Sequence, residues 1–399
     1  MLPADPAPSR LTPGALDGVR VLDLTSVIMG PYATQILGDL GADVISIEDF
    51  AGDVNRAMGA GRHPQLSGTA LNLLRNKRNV SLDLKHPEGR NAFLRIAATS
   101  DVVVTNLRPG PLGRLGLTYD DVRVHRPDVV FCQAQGWPSD GERADDPAYD
   151  DIVQAATGIA DLFERQTGVP ALMPTIVADK VCGMTIAYSV LAALRHRDRT
   201  GEGQRIEVAM VETMRSFLLV EHGGAAILVP PAGPPGHLRV LTPFRRPQQT
   251  SDGWISVLPY SRKNYDDLFG GSGRADLLDH RLVDNPTRLA HSDSLYRDVA
   301  DVLATNTTDH WLDFCREHDI PATAIGRLDE IIEELPVVEH PVVGPYRHIP
   351  PPVRFDRTPM TVRRPAPLIG ADGDEVLLSA GYTTDEIAAL RSAGALRGS

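Results

Sequence analysis

The residue with the clearest chemical potential is Asp179, a carboxylate that stands just before a long apolar run. That run, 181–194, carries almost no charge, and a helix that is apolar nearly all round is typically buried. An aspartate at the start of a helix accepts backbone N–H bonds as an N-cap, and the helix dipole favours its ionised form. The spacing alone therefore favours a structural cap, with a carboxylate nucleophile as the alternative.

Strand and helix patterns alternate through the first half of the chain, which is typical of a parallel α/β sheet. The sequence predicts strands over 19–24, 43–48, 79–84, 101–105, 128–134 and 205–210, and helices over 32–40 and 87–98. Ligands of such sheets bind beyond the carboxyl ends of the strands. The candidate ligand loops are 25–31, 75–78, 106–110 and 135–150. In the second half of the chain, the sequence predicts a strand at 253–259, a strand at 353–355 and a helix at 384–393.

Composition excludes several classes of function. The net charge of -12 over 399 residues leaves no basic footprint for nucleic acid. Three scattered cysteines, Cys132, Cys182 and Cys315, argue against a disulfide framework or a metal cluster and fit the reducing cytoplasm. No stretch has the roughly 18 uninterrupted apolar residues of a membrane span. The first 15 residues lack a signal-peptide pattern and are interpreted as a loose leader.

Several blocks of the sequence together resemble the class III CoA-transferases, a family that includes formyl-CoA transferase, carnitine CoA-transferase and α-methylacyl-CoA racemase. The blocks are LDGVRVLDLTSVIMGPYATQILGDLGADVISIE (16–48), NKRNVSLDLKHPEGR (76–90), DVVVTNLRPGPLGRLGL (101–117), AYDDIVQAATG (148–158), VADKVCG (177–183) and RHRDRTGEGQRIEVAMVET (195–213). The similarity is specific over residues 16–213, is weaker afterwards, and returns in the closing helix.

The resemblance implies an α/β fold with a Rossmann-like large domain, built on a parallel sheet, and a smaller α+β domain. The expected boundaries are 1–213 for the first part of the large domain, 214–235 for a linker, 236–325 for the small domain and 326–399 for a return segment. It also implies an interlocked homodimer, which the proline-rich segments on either side of the small domain would suit.

By the same resemblance, Asp179 is the nucleophile, with Tyr149 and Asp150 beside it as further catalytic residues. Asp179 would attack an acyl-CoA thioester to form a mixed anhydride, and then carry CoA as an aspartyl thioester until a carboxylic acid accepts it. The family uses coenzyme A or acyl-CoA as substrate and implies no tightly bound cofactor and no metal.

The resemblance places CoA contacts on three loops and on Arg114 nearby. The expected contacts are Val27, Ile28, Met29, Lys77, Arg78, Asn106, Leu107, Arg108 and Arg114. Lysine and arginine suit phosphate groups because their hydrogen bonds to phosphate are charge-assisted. One departure concerns Asp49 and Phe50, which stand where the family often carries basic residues near the adenine.

Two other functions compete with CoA transfer. A racemase on the same fold would need a histidine at the position of Tyr149, since histidine titrates in the useful range and moves the α-proton. The presence of Asp179 counts against the other function, a non-catalytic acyl-CoA-binding protein, and leaves it as an alternative. The sequence leaves open the donor and acceptor acids and the roles of Glu221, His222, Arg245 and Arg246.

Overall fold

The structure is a computed structural model, and it describes residues 13–398. Residues 1–12 of the predicted leader lie outside this range. The described chain forms two compact units. The first combines residues 13–157, 173–216 and 335–398, and the second combines 158–172 and 217–334. The domain boundaries expected from the sequence stay a prediction.

The strands are β1 Arg20–Leu24, β2 Asp43–Glu48, β3 Lys77–Ser81, β4 Val102–Thr105, β5 Val130–Gln135, β6 Gln204–Ala209, β7 Gln248–Gln249, β8 Trp254–Val257, β9 Ala322–Ala324, β10 Val337–His340 and β11 Gly344–Arg347. The first nine helices are α1 Met29–Asp39, α2 Gly68–Leu73, α3 Pro87–Ala97, α4 Pro109–Leu115, α5 Tyr119–Arg123, α6 Asp150–Thr157, α7 Ile159–Thr167, α8 Val177–Thr200 and α9 Met210–His222. The others are α10 Leu238–Leu241, α11 Arg262–Gly271, α12 Asn285–Ala290, α13 Ser292–Leu303, α14 Thr308–Glu317, α15 Leu328–Glu333, α16 Gly373–Ser379 and α17 Thr384–Ser392.

A six-stranded parallel sheet organises the first unit. Its strand order is β3-β2-β1-β4-β5-β6, and each neighbouring pair is parallel. The predicted α/β fold is therefore confirmed. The order reverses between β1 and β4, and a crevice for ligands opens at the carboxyl ends of strands at such a switch point. The loops after β1 and β4 are thus the expected walls of a site.

Helix α8 packs on the same unit through its small residues. A side chain added at Gly183 would come within 2.8 Å of the carbonyl oxygen of Met29 and 3.0 Å of the Tyr32 ring, so glycine allows α1 and α8 to approach closely. The expectation that α8 is buried all round is wrong for this chain, since Met184 and Tyr188 are exposed while Ile186 and Val190 are buried. By length and composition α8 could span a membrane, but core helices of soluble proteins share that property.

The end of the chain completes the core of the first unit. Val376, Leu377, Ile387 and Leu396 pack in one cluster with sheet residues such as Ile45. The strand predicted at 353–355 is wrong, because the structure has no strand there and instead pairs β10 with β11 in an antiparallel hairpin. The second unit has its own antiparallel sheet, in the order β7-β8-β9, and its own core around Trp311 and Phe269.

Candidate active site

Asp179 lies in the first turn of α8, two residues inside the helix start. The N-cap is Ile176, which supplies no side-chain cap, so the predicted role of Asp179 as a cap is wrong. Its carboxylate accepts no hydrogen bond within the described part of the chain, although the residue is buried. A buried carboxylate without such partners costs stability instead of adding to it, and a functional role explains why such a group is kept.

Asp150, the first residue of α6, caps α8 in its place. One carboxylate oxygen, Oδ1, accepts the backbone N–H of Ala178 at 2.6 Å and that of Asp179 at 3.1 Å. The other, Oδ2, accepts the side-chain amide of Gln154 at 2.6 Å. The first-turn N–H groups that would have stabilised the Asp179 carboxylate are therefore used by Asp150.

Burial and charge repulsion both raise the pKa of Asp179. The larger cause is burial, which disfavours the charged form, and the second is the nearby Asp150 carboxylate; together they raise the pKa to about 6. The carboxylate is thus mostly ionised at neutral pH while being more basic than an ordinary aspartate. This combination suits a nucleophile, which must be charged but reactive.

Two loops at the switch point meet beside Asp179. Asn106, after β4, accepts the backbone N–H of Ser26 at 3.0 Å and donates to its carbonyl oxygen at 2.8 Å. The next residue, Val27, has a φ of 69°, which is rare and costly for a β-branched residue. Both oxygens of Asp53 accept the Val27 N–H at 3.1 Å and hold it in this conformation. Backbone strain of this kind clusters at functional sites.

These loops and α8 enclose a cavity of about 300 Å³. Asp179 lines it together with six more of the residues predicted from the sequence, namely Val27, Met29, Asn106, Leu107, Arg108 and Tyr149. Tyr149 is 69% exposed and stands at the edge of the cavity. Ile28 and Asp150 do not line it: Ile28 is the N-cap residue of α1, and Asp150 lies behind Asp179.

Lys77 and Arg78 are placed away from this cavity. The predicted strand at 79–84 begins two residues late, because β3 starts at Lys77 and takes both residues into the sheet. The buried Lys77 ammonium donates to Asp23 at 2.9 Å, to the Pro31 carbonyl at 3.0 Å and to Thr34 at 2.7 Å. Arg78 pairs with Asp43 at 2.5 Å, at the amino end of β2. All three Lys77 donor positions are used, so this side chain is not free to meet a phosphate.

Two further cavities continue from the first along the carboxyl ends of the strands. A cavity of about 580 Å³ shares Ser26 and Leu107 with it and is lined by Phe50 and by the acidic residues 48, 49, 53 and 83. A cavity of about 460 Å³ adjoins that one at Leu84 and Lys85. Its walls carry three exposed cations, Lys85, Arg90 and Arg114.

Sequence reasoning found Arg114 but missed Lys85 and Arg90. The predicted candidate loop, 75–78, precedes the predicted strand at 79–84 instead of following it. Ligand loops of parallel sheets follow their strands, and Lys85 follows both the predicted strand, which ends at Leu84, and β3, which ends at Ser81. Four residues whose roles the sequence leaves open belong to the second unit, namely Glu221, His222, Arg245 and Arg246. There His222 is buried and accepts the backbone N–H of His237 at 3.3 Å.

Comparison with known proteins bears directly on this site. The model of the family described as CoA-transferase family III matches residues 16–373. Succinyl-CoA:mesaconate CoA-transferase of Haloarcula hispanica is 32% identical over 334 residues, which cover 80% of this chain and 83% of that protein. Formyl-CoA:oxalate CoA-transferase of Rhodopseudomonas palustris (strain BisA53) is 29% identical, covering 96% of this chain and 97% of that protein.

A solved structure shows the same architecture. The crystal structure of Rv3272 from M. tuberculosis, orthorhombic form, aligns with a TM-score of 0.78 and 27% sequence identity. The alignment covers 91% of this chain and 99% of that chain. The sequence resemblance and the fold therefore agree over nearly the whole length.

Proposed function

The chain belongs to CoA-transferase family III, and we propose that it moves CoA from an acyl-CoA thioester to a free carboxylic acid through covalent intermediates on Asp179. The observation that carries this proposal is the Asp179 carboxylate, which is buried, accepts no hydrogen bond from the described residues and opens into a cavity at the switch point of the sheet.

The proposed reaction begins when a carboxylate oxygen of Asp179 attacks the thioester carbonyl carbon. The C–S bond breaks, CoA leaves as a thiolate, and a mixed anhydride remains on Asp179. The thiolate then attacks the Asp179 carboxyl carbon, which releases the donor acid and leaves an aspartyl-CoA thioester. The acceptor carboxylate attacks that thioester and expels the thiolate. A final thiolate attack on the acceptor's acyl carbon gives the new acyl-CoA and frees Asp179.

The neighbouring cavity residues suit the substrates of this reaction. Arg108 provides a positive charge in the cavity that also holds Asp179, where a carboxylate must approach. Tyr149 stands at the edge of the cavity, beside the path of the acyl group. A tyrosine there is a poorer proton acceptor near neutral pH than the histidine that a racemase would use. The residue type at this position therefore favours transfer over isomerisation.

The CoA moiety is proposed to extend from Asp179 through the two neighbouring cavities. The acidic lining of the larger cavity would repel phosphates, but its apolar wall and the half-exposed Phe50 suit the adenine ring. The diphosphate, which joins the pantetheine arm to the adenosine, would lie at the cationic end, next to Lys85, Arg90 and Arg114. This cavity adjoins the Asp179 cavity at Pro111 and the larger cavity at Leu84, Lys85 and Leu115. On this path the phosphates lie away from Asp49, which is acidic where the family often has a basic residue.

The cationic end yields a direct prediction. Lys85→Ala and Arg114→Ala should each weaken CoA binding about 3- to 10-fold, as expected for exposed charge-assisted contacts. The loss should shrink at high salt, because exposed charges are screened. Isothermal titration calorimetry with CoA measures the effect, and Arg199→Ala, an exposed cation at the far end of α8, is the matched control. Native-like affinity in both variants would contradict the proposed path.

The acceptor is proposed to be a short dicarboxylic acid, since mesaconate and oxalate, the acceptor acids in the names of the two relatives, are both of this class. Incubating the protein with succinyl-CoA or formyl-CoA as the donor and a panel of mono- and dicarboxylic acids, with products read by mass spectrometry, tests the proposal. We expect new CoA thioesters of dicarboxylic acids. Products only with monocarboxylic acids would contradict the acceptor class, and no transfer from any donor would contradict the function.

We also propose that the enzyme works in the cytoplasm as a homodimer. The scattered, buried cysteines support a reducing compartment. The exposed apolar side chains of Met184 and Tyr188 on α8 support association with a second copy.

A further inference from the structure

A buried pair of side chains on α6 connects three parts of the first unit. Asp150 and Gln154 stand four residues apart, so they lie on the same face of the helix, and they are joined by the 2.6 Å hydrogen bond from the Gln154 amide to Asp150 Oδ2. Asp150 holds the first turn of α8 through the N–H groups of Ala178 and Asp179. Gln154 Oε1 accepts the N–H of Met173 at 2.9 Å, in the segment that leads into α8.

We infer that Asp150 and Gln154 form a positioning clamp for the nucleophile, holding the first turn of α8 and the segment before it so that Asp179 faces the acyl-CoA cavity. This inference rests on the proposed function of Asp179. It assigns Asp150 a role different from the catalytic one expected from the sequence, because Asp150 does not line the cavity and both its carboxylate oxygens accept hydrogen bonds from α6 and α8.

The clamp also explains why Asp179 itself stays unbonded. The first N–H groups of a helix have no partner within the helix, and a carboxylate in the first turn readily takes them. Asp150 occupies two of these donors, so the Asp179 carboxylate is left free for the substrate. Gln154 is fully buried, and its donor to Asp150 and its acceptor to Met173 fix the orientation of its amide. Each hydrogen bond of the clamp therefore has one defined donor and one defined acceptor.

The charge of Asp150 adds a second effect on the same carboxylate. Asp150 contributes to the raised pKa of Asp179, after burial. Other titratable groups of this region are Lys180 and Cys182 on the same helix, Tyr32 on α1, packed near Gly183, and Tyr149, Arg108 and Asp146 along the cavity. Lys180 donates to the Thr175 hydroxyl at 2.7 Å. Replacing Asp150 with a neutral residue should thus lower the pKa of Asp179.

Asp150→Ala and Asp150→Asn test the clamp. Asp150→Ala should lower kcat about 100-fold, the size of effect that a misplacement near 1 Å produces, while the KM for acyl-CoA changes less than about 3-fold because the cavity lining is kept. In Asp150→Asn the new amide would face the Gln154 amide, donor against donor, and kcat should fall about 10-fold or more. The acidic limb of the kcat/KM profile is expected near pH 6 in the native enzyme, from the raised pKa of Asp179, and should move to lower pH in this variant.

A second substitution distinguishes positioning from a general loss of stability. In Asp150→Asn/Gln154→Glu, the asparagine amide can donate to the new carboxylate, whose other oxygen can still accept the Met173 N–H. Only the long 3.4 Å contact with the Thr175 carbonyl is lost. We expect this double variant to recover most of the kcat lost in Asp150→Asn. The control Thr383→Ala removes an equivalent cap from the distant α17, and should lower stability without changing kcat.

Two results would overturn the clamp. The first is an Asp150→Ala enzyme that is folded, as judged by circular dichroism, and has the native kcat, while Asp179→Asn is inactive. This pair of results would leave the proposed function intact. The other is a loss of kcat in Asp150→Asn that the second substitution does not recover, with an unmoved acidic limb. If Asp150→Ala does not fold, the comparison of Asp150→Asn with the double variant decides. Activity in Asp179→Asn would instead contradict the proposed function itself.

Discussion

Asp179→Asn is expected to abolish CoA transfer, lowering kcat by at least about 10⁴-fold, the scale seen when a covalent nucleophile is removed. The amide has the same shape as the carboxylate but cannot attack a thioester. CoA should still bind, because the other residues along the three cavities are unchanged. Steady-state kinetics and calorimetry with CoA measure the two effects separately.

The same substitution should not destabilise the protein and is expected to stabilise it. A carboxyl whose folded-state pKa is raised from 3.8 to about 6 makes the folded state less stable wherever it is ionised. That cost is fully present above the folded pKa and disappears as the pH falls below the unfolded pKa. Two pKa units correspond to at most about 3 kcal/mol. The thermal midpoint of Asp179→Asn should exceed that of the native protein at neutral pH, and the difference should shrink near pH 4.

The activity and the stability of Asp179→Asn have to be interpreted together. If Asp179→Asn were markedly less stable and inactive, the loss of activity would reflect a damaged fold, and Asp179 would be a structural residue. If the variant were stable and turned over substrate at a near-native rate, the nucleophile would have to be another group. Cys182 is one turn further along α8, but burial raises the pKa of its thiol to about 12, so a thiolate there is strongly disfavoured.

Lys77→Met is the second prediction with a large effect, and it acts on stability. Removing one partner of a buried ion pair typically costs about 3–5 kcal/mol, because the other charge is left buried. Here Asp23 would lose the ammonium, although it keeps the hydroxyls of Thr25 and Thr34 as donors. We expect the urea midpoint to fall clearly, while the affinity for CoA, measured on the folded protein, changes little.

A double variant is the matched control for this prediction. In Lys77→Met/Asp23→Asn both charges are gone, so part of the lost stability should return. Lys85→Ala offers the converse comparison, since an exposed lysine should affect CoA binding but hardly stability. A Lys77→Met protein with native stability and a salt-dependent loss of CoA affinity would contradict the structural role and restore Lys77 as a phosphate ligand.

The parallel sheet was predictable because short apolar runs bounded by turn residues repeat with helical segments between them. The strand at 43–48 was placed to the residue. The boundary of β3 was not, because Lys77 and Arg78 are charged residues inside a buried strand, and charged residues are rarely fully buried unless they are paired. Their partners, Asp23 and Asp43, lie on other strands, and pairings across a fold are not visible in local composition.

The site, like the sheet, is predictable from the sequence only in part. The loops at 25–31 and 106–110 are predictable as ligand loops because each follows a strand. Asp179 is singled out as the nucleophile only by the resemblance to the class III CoA-transferases, since its spacing alone favours a cap. Its helical position was misjudged, since Val177 and Ala178 form the first turn without a side-chain cap on Ile176. The true cap comes from Asp150, distant in sequence, and no local rule for helix starts could identify it. The strain at Val27 was equally hidden, because valine gives no sign of a left-handed backbone.

Trapping the covalent intermediate tests the central claim most directly. Incubation with an acyl-CoA donor and hydroxylamine, without an acceptor acid, should convert the activated carboxyl of Asp179 to a hydroxamate, located by peptide mass spectrometry. A 2-methylacyl-CoA in deuterated water should show no rapid exchange of its α-proton. A modified Asp179 without exchange is the result that this account predicts. Fast α-exchange with no modification of Asp179 would contradict it and would favour an isomerase.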